Sequence, residues 1–220
     1  MLDQSYYSRH KLLVANRGEI SIRILRTARK LGLRTVAIYT QEDATSPHVS
    51  IADEAIALFS VDPDASARNP QAYLDAELIT RICIEREVTL VHPGYGFLSE
   101  SASFAELLAS NGITLLGPSP QVIRDMGLKH RARTLATAAG VPVVPGSEGL
   151  VFSIEEALRV SAEIRYPVML KATAGGGGMG IVICYEENDL KLKIVETQER
   201  ALVSFIIILN SLGKSSLGYL

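Results

Sequence analysis

The sequence predicts an α/β protein: a parallel sheet covered by helices over residues 1–116, then a smaller α+β unit. Three observations carry this. Short β-rich runs alternate with helical repeats as far as Leu115. Prolines preceded by a capping residue mark helix starts. Near Gly117 the rhythm changes, and a later strand runs into the consecutive glycines Gly175 to Gly178.

Strands are expected at Lys11 to Ala15, Arg34 to Tyr39, Glu54 to Leu58, Thr89 to His92 and Ile113 to Leu115. Ile20, Ile24, Ala28 and Leu31 recur at helical spacing, as do Leu74, Leu78 and Ile82. Ser46-Pro47, Asn69-Pro70 and Ser119-Pro120 each place a capping side chain before a proline suited to the first helical position, so helices are expected to begin there. Two short helical stretches lead to Gly140, followed by extended chain from Val141 to Gly146. Ser153 and Glu156 have the spacing of a capping box for a helix ending near Ile164. Pro167 to Lys171, the glycine loop and Ile181 to Cys184 then read as a hairpin. The expected divisions are 1–116, linking helices 117–142, a unit 143–199 and a divergent tail 200–220.

Composition sets the function classes aside in turn. With 47% hydrophobic and 21% charged residues the chain is neither disordered nor a disulfide scaffold. A net charge of -2, with basic residues scattered among acidic ones, gives no footprint for nucleic acid. Cys83 and Cys184 lie far apart in apolar stretches, without metal-ligand spacing, and read as buried free thiols. Met1 to His10 has no apolar signal core, and Ala201 to Leu209 is too short to span a bilayer, so no membrane association and a cytoplasmic protein are expected.

Chemistry concentrates in four places. Consecutive glycines cost conformational entropy, and close approach to a ligand is the usual compensation. Their backbone N–H groups can fold over phosphate oxygens, with Lys171 just upstream supplying a point charge; a plain flexible hairpin with a surface lysine is the other reading. The loop is no P-loop, because no Gly-Lys-Ser/Thr follows and a strand succeeds it. The first βα turn, Asn16-Arg17-Gly18-Glu19, lacks GxGxxG, which leaves dinucleotide binding as the weaker alternative. Glu42 and Asp43 stand where a ribose-binding acid would, but read as an exposed acidic turn. His92 to Phe97 ends the fourth strand on the ligand side of such sheets; it reads equally as a tight turn with Tyr95 and Phe97 packed on a neighbouring domain, and His92 as a structural histidine. Lys129 sits at a helix start, where the dipole disfavours a cation unless an anion is near; it is either a solvated lysine or a phosphate ligand.

Taken together, VANRGEI at Val14 to Ile20, HPGYGFLSE at His92 to Glu100 and KATAGGGGMG at Lys171 to Gly180 resemble the biotin carboxylase family, in order from Lys11 to Glu199. The resemblance implies a pre-ATP-grasp, Rossmann-like domain followed by an incomplete α+β ATP-grasp lid subdomain. It implies that Lys129 and Lys171 contact ATP phosphates and that Gly176, Gly177 and Gly178 belong to the loop closing over them. In the family, ATP and bicarbonate form carboxyphosphate, and N1 of biotin on a carrier domain is carboxylated, with Mg or Mn; the family is often dimeric. Leu128, in place of the usual Asp, and Met179, in place of Arg or Lys, resemble urea carboxylase. The family's metal-binding glutamates and its bicarbonate and biotin residues find no match here, and 200–220 resembles no family segment. The chain alone is therefore expected to be a catalytically inactive N-terminal piece, with a noncatalytic protein that binds a carboxylase subunit as the alternative. Phe205 to Leu209, β-prone and uncharged, is expected to be exposed and to promote aggregation, an added edge strand being the other outcome.

Overall fold

The computed structural model describes residues 7, 9–58, 70–147, 149–172, 181–198 and 205–209. Two compact units divide the chain, Met1–Arg124 and Asp125–Leu220.

In the first unit the order is β1 (Lys11–Val14), α1 (Gly18–Lys30), β2 (Arg34–Tyr39), α2 (Pro47–Ile51), β3 (Glu54–Ala57), α3 (Ala76–Glu85), β4 (Leu90–His92), α4 (Ala102–Ser110) and β5 (Thr114–Leu115). All the strands are parallel, in the order β3-β2-β1-β4-β5. β1 lies in the middle and every residue in it is buried, so after Lys11, whose ammonium is paired with Glu54, it reads as a continuous apolar run instead of an alternating one. Its residues feed opposite faces: Leu13 packs with Ile79, Ile82, Phe104 and Leu108 of α3 and α4, and Leu12 and Val14 with Ile20, Ile24, Leu25 and Ala28 of α1. A parallel sheet closed by helices on both faces is thus what the alternating pattern becomes.

The helix starts are partly as expected. Pro47 opens α2 after Ser46, but Ser46 makes no cap bond, and its Oγ donates weakly to Asp43 at 3.4 Å. Pro70 opens a 3-10 turn to Leu74, not an α-helix. α3 begins only at Ala76, where Asp75 Oδ1 accepts from Leu78 N at 2.8 Å. A carboxylate at the N-cap satisfies an orphan N–H and favours the helix dipole, so it sets the boundary that Asn69-Pro70 was expected to set. α4, capped by Ser101, is apolar over much of its surface, so its period is faint in the sequence. Ser119 accepts from Val122 N at the start of α5 (Pro120–Gly127).

The second unit contains α6 (Lys129–Ala138), α7 (Ile154–Ile164), β6 (Val168–Ala172), β7 (Ile181–Cys184), α8 (Glu187–Gln198) and β8 (Phe205–Leu209). Ser153 Oγ accepts from Glu156 N at 3.1 Å, while the Glu156 carboxylate reaches back one residue further than a capping box requires, to Phe152 N. β6 and β7 pair antiparallel, as a hairpin demands. Val168, Leu170 and Cys184 pack with Ala157, Val160, Leu190 and Ile194 of α7 and α8. Cys83 and Cys184 are buried free thiols, pushed up by burial to about 12 and about 11. Among the described residues no helix is long and apolar enough to cross a membrane.

The expectation for Phe205 to Leu209 is corrected here. β8 pairs antiparallel with β6 in the register Val168↔Leu209 to Ala172↔Phe205, making β6 the central strand of β7-β6-β8. β6 would otherwise present a row of unsatisfied N–H and C=O groups along that edge. Deleting residues from 205 onward is therefore expected to lower soluble yield and expose the β6 edge, checked by comparing yield and hydrogen exchange of β6 with the full chain.

Candidate functional site

The richest polar cluster lies at the carboxyl ends of β1, β2 and β4. After β1 the chain turns through Asn16 and Arg17 into α1, whose first residue, Gly18, has φ +61°. Asn16 Nδ2 donates to Pro93 O and to Tyr95 O, both at 2.8 Å, and Asn16 Oδ1 accepts from Arg17 N at 2.8 Å. Gly94, with φ +67°, lies so close that a Cβ there would meet Asn16 Nδ2 at 2.6 Å.

Arg17 extends the other way, to the turn after β2. Its Nε donates to Asp43 Oδ2 at 2.6 Å and its Nη2 to Asp43 Oδ1 at 2.5 Å, a bidentate fork. Asp43 is only 5% exposed and accepts a further bond from Tyr73 Oη at 2.7 Å. The Arg17 bonds hold the Asp43 carboxyl below its ordinary range against the opposing effect of burial. Burial, then Asp43, raises the Tyr73 phenol, and Asp43 raises the guanidinium, so the pair stays ionised and Tyr73 stays a donor. The Tyr73 ring stands 5.1 Å from that of Phe97.

This corrects two expectations. Glu42 is exposed, but Asp43 is buried, because Arg17 and Tyr73 satisfy its oxygens. Phe97 packs on Tyr73 of its own unit, and Tyr95 is 62% exposed, its Oη donating to Glu19 Oε1 at 2.9 Å. His92 does serve a structural purpose: its Nδ1 accepts from Gly94 N at 3.0 Å, and burial, then Arg23, keeps the ring neutral. A cleft of about 350 Å3 remains between Asn16–Ile20 and Tyr95–Phe97.

The residues expected at phosphate lie in the second unit. Lys129 is the first residue of α6, behind Leu128, an N-cap whose side chain can accept nothing; the Lys129 side chain lies outside the described residues. Lys171 is half-buried on β6, its backbone paired with Ile181 and Ile206. Gly176, Gly177 and Gly178 lie outside the described residues. Among the described residues no group of three or more His, Cys, Asp or Glu side chains fits a metal, and no step is assigned to one.

Arg17, Asp43 and Tyr73 are absent from the sequence-level site. Their only signal is that Arg17 and Asp43 follow adjacent parallel strands; Tyr73, 30 residues beyond Asp43, has none.

Residues 8–123 match the model of the biotin carboxylase N-terminal domain, and residues 129–211 that of the carbamoyl-phosphate synthase L chain ATP binding domain. A putative urea carboxylase of Emericella nidulans is 50% identical over 86% of this chain and 15% of its own length. Biotin carboxylase 1 of Bacillus subtilis is 46% identical over 89% of this chain and 42% of its own length. The biotin carboxylase domain dimer of Hydrogenobacter thermophilus 2-oxoglutarate carboxylase, in complex with MgADP, ADP and bicarbonate, superposes with a TM-score of 0.78 at 43% identity, covering 90% of this chain and 44% of that one. The chain thus spans less than half the length of each of these relatives.

Proposed function

Because the chain belongs to the biotin carboxylase family, as its N-terminal portion, we propose that it carries part of the nucleotide site of an ATP-dependent carboxylase. In this reading ATP and bicarbonate yield carboxyphosphate, and biotin on a carrier domain receives the carboxyl group. Residues 143–199 form the start of the ATP-grasp lid, and 117–142 link it to the sheet domain.

The observation that carries the proposal is the match of residues 129–211 to an ATP binding domain, with both candidate lysines inside it. Lys171 leaves β6 on the side of the glycine segment, and Lys129 heads a helix with no side-chain cap. A phosphate at the head of that helix would satisfy backbone N–H groups that no side chain caps, and one near Lys171 would pair with the ammonium charge. Gly176, Gly177 and Gly178 would supply N–H groups over the same oxygens. Leu128 and Met179, with the 50% identity to a putative urea carboxylase, support urea as the final acceptor.

Calorimetric titration of the 220-residue chain with ATP tests this, and saturable binding is expected. The same chain should show no bicarbonate-dependent ATP hydrolysis with free biotin, because none of the assigned residues supplies a metal ligand or a base. Failure to bind ATP at millimolar concentrations would reject the proposal.

A further inference from the structure

In the order β3-β2-β1-β4-β5 the connections diverge on either side of β1, so the topological switch point lies between β1 and β4. Open sheets of this kind receive ligands there, in the crevice outside the carboxyl ends of the two strands. In this protein Asn16 ties together the loops that follow β1 and β4. Both hydrogens of its amide are spent on Pro93 O and Tyr95 O, its oxygen is spent on Arg17 N, and the residue is buried. Gly94 is seated so close to Asn16 that a side chain there would displace the amide, while a cleft stays open beside it between Asn16–Ile20 and Tyr95–Phe97. A second anchor holds the far end of the same loop: Asp43, fixed by Arg17, orients Tyr73, and Tyr73 meets Phe97. Tyr95 and Gly96, between the two anchors, face outward.

We infer that Asn16 is a positioning residue that fixes the His92–Phe97 loop so that its outer face is presented ready-formed beside the cleft at the switch point. The fixing of the loop stands on geometry alone; only its role toward a carboxylase substrate rests on the proposed function.

Hydrogen exchange on the full chain tests this with Asn16→Asp, which sets a carboxylate against two carbonyl oxygens, and Asn16→Ala, which removes the amide without adding charge. Exchange in residues 92–97 is expected to rise about tenfold or more in both, with β1, β2, α3 and α4 still protected. Glu42→Gln, at an exposed position next to the Asp43 anchor, should stay within about twofold of wild type. Unchanged exchange of the loop in both Asn16 variants would overturn the inference. So would a uniform loss of protection across the unit in both, which would make Asn16 merely structural. ATP titration of the same variants separates the two proposals: failure of the wild-type chain to bind ATP rejects the proposed function and leaves the loop result standing.

Discussion

Replacing Asp43 by alanine is expected to destabilise the first unit by about 2–4 kcal/mol. The substitution strands Tyr73 Oη in a fully buried position without its acceptor, at a cost of about 1–3 kcal/mol. It also deprives the Arg17 guanidinium of its counter-charge; that side chain is 46% exposed, so water recovers much of this loss and the figure stays below that for a fully buried pair. Asp43→Asn keeps one acceptor and should cost roughly half as much. Denaturant midpoints of the three proteins, monitored by circular dichroism, provide the check, and an Asp43→Ala protein within 0.5 kcal/mol of wild type, on the order of an ordinary surface substitution, would refute it.

The same cluster sets an acid dependence with two stages. His48 is fully buried, its Nε2 faces Ile38 O at 3.3 Å, and its Nδ1 has no hydrogen-bond partner among the described residues. Burial lowers its pKa from 6.5, with Asp43 opposing and Arg17 reinforcing the shift. The unfolded chain therefore takes up a proton that the folded one refuses, and stability present above 6.5 declines as pH falls below it. Asp43, also lowered, contributes stability that is complete above 3.8 and is lost as pH falls through its folded value. Asp43→Ala should retain the first decline and lose the second, which denaturation at pH 7, 5 and 3 would resolve.

Lys171→Ala is expected to weaken ATP binding about tenfold to a hundredfold, the loss of one charge-assisted contact to phosphate. Lys171→Arg should recover part of it, because the charge is kept while the point geometry is not. The wild-type affinity should also fall with rising salt, and that slope should be shallower in the alanine variant. Lys171 lies outside the apolar cluster of the second unit, so the variant should unfold like wild type. An unchanged ATP affinity would remove Lys171 from the site.

Much of the architecture was legible before the structure. Short β-rich runs and the period of 3.6 report burial directly, so β1, β2, β4 and α1 fall where their apolar residues place them. Helix caps were less legible: any of several polar residues can accept an N–H, and Asp75 prevailed over Asn69-Pro70 through its charge and position. α4 was faint because a helix so rich in apolar residues has little period to display.

What the sequence alone determined is the alternation of parallel strands and helices, the burial of both cysteines and the family, because these follow from local pattern and from motifs contiguous in the chain. What only the tertiary structure decided is which side chains meet across long stretches of chain. Arg17, Asp43 and Tyr73 are brought together because the carboxyl ends of adjacent parallel strands share one edge of the sheet. Asn16 reaches Pro93 and Tyr95, and β8 finds the free edge of β6, for the same reason: unsatisfied polar groups, once buried, bind whatever the fold sets beside them, and sequence separation carries no record of that proximity.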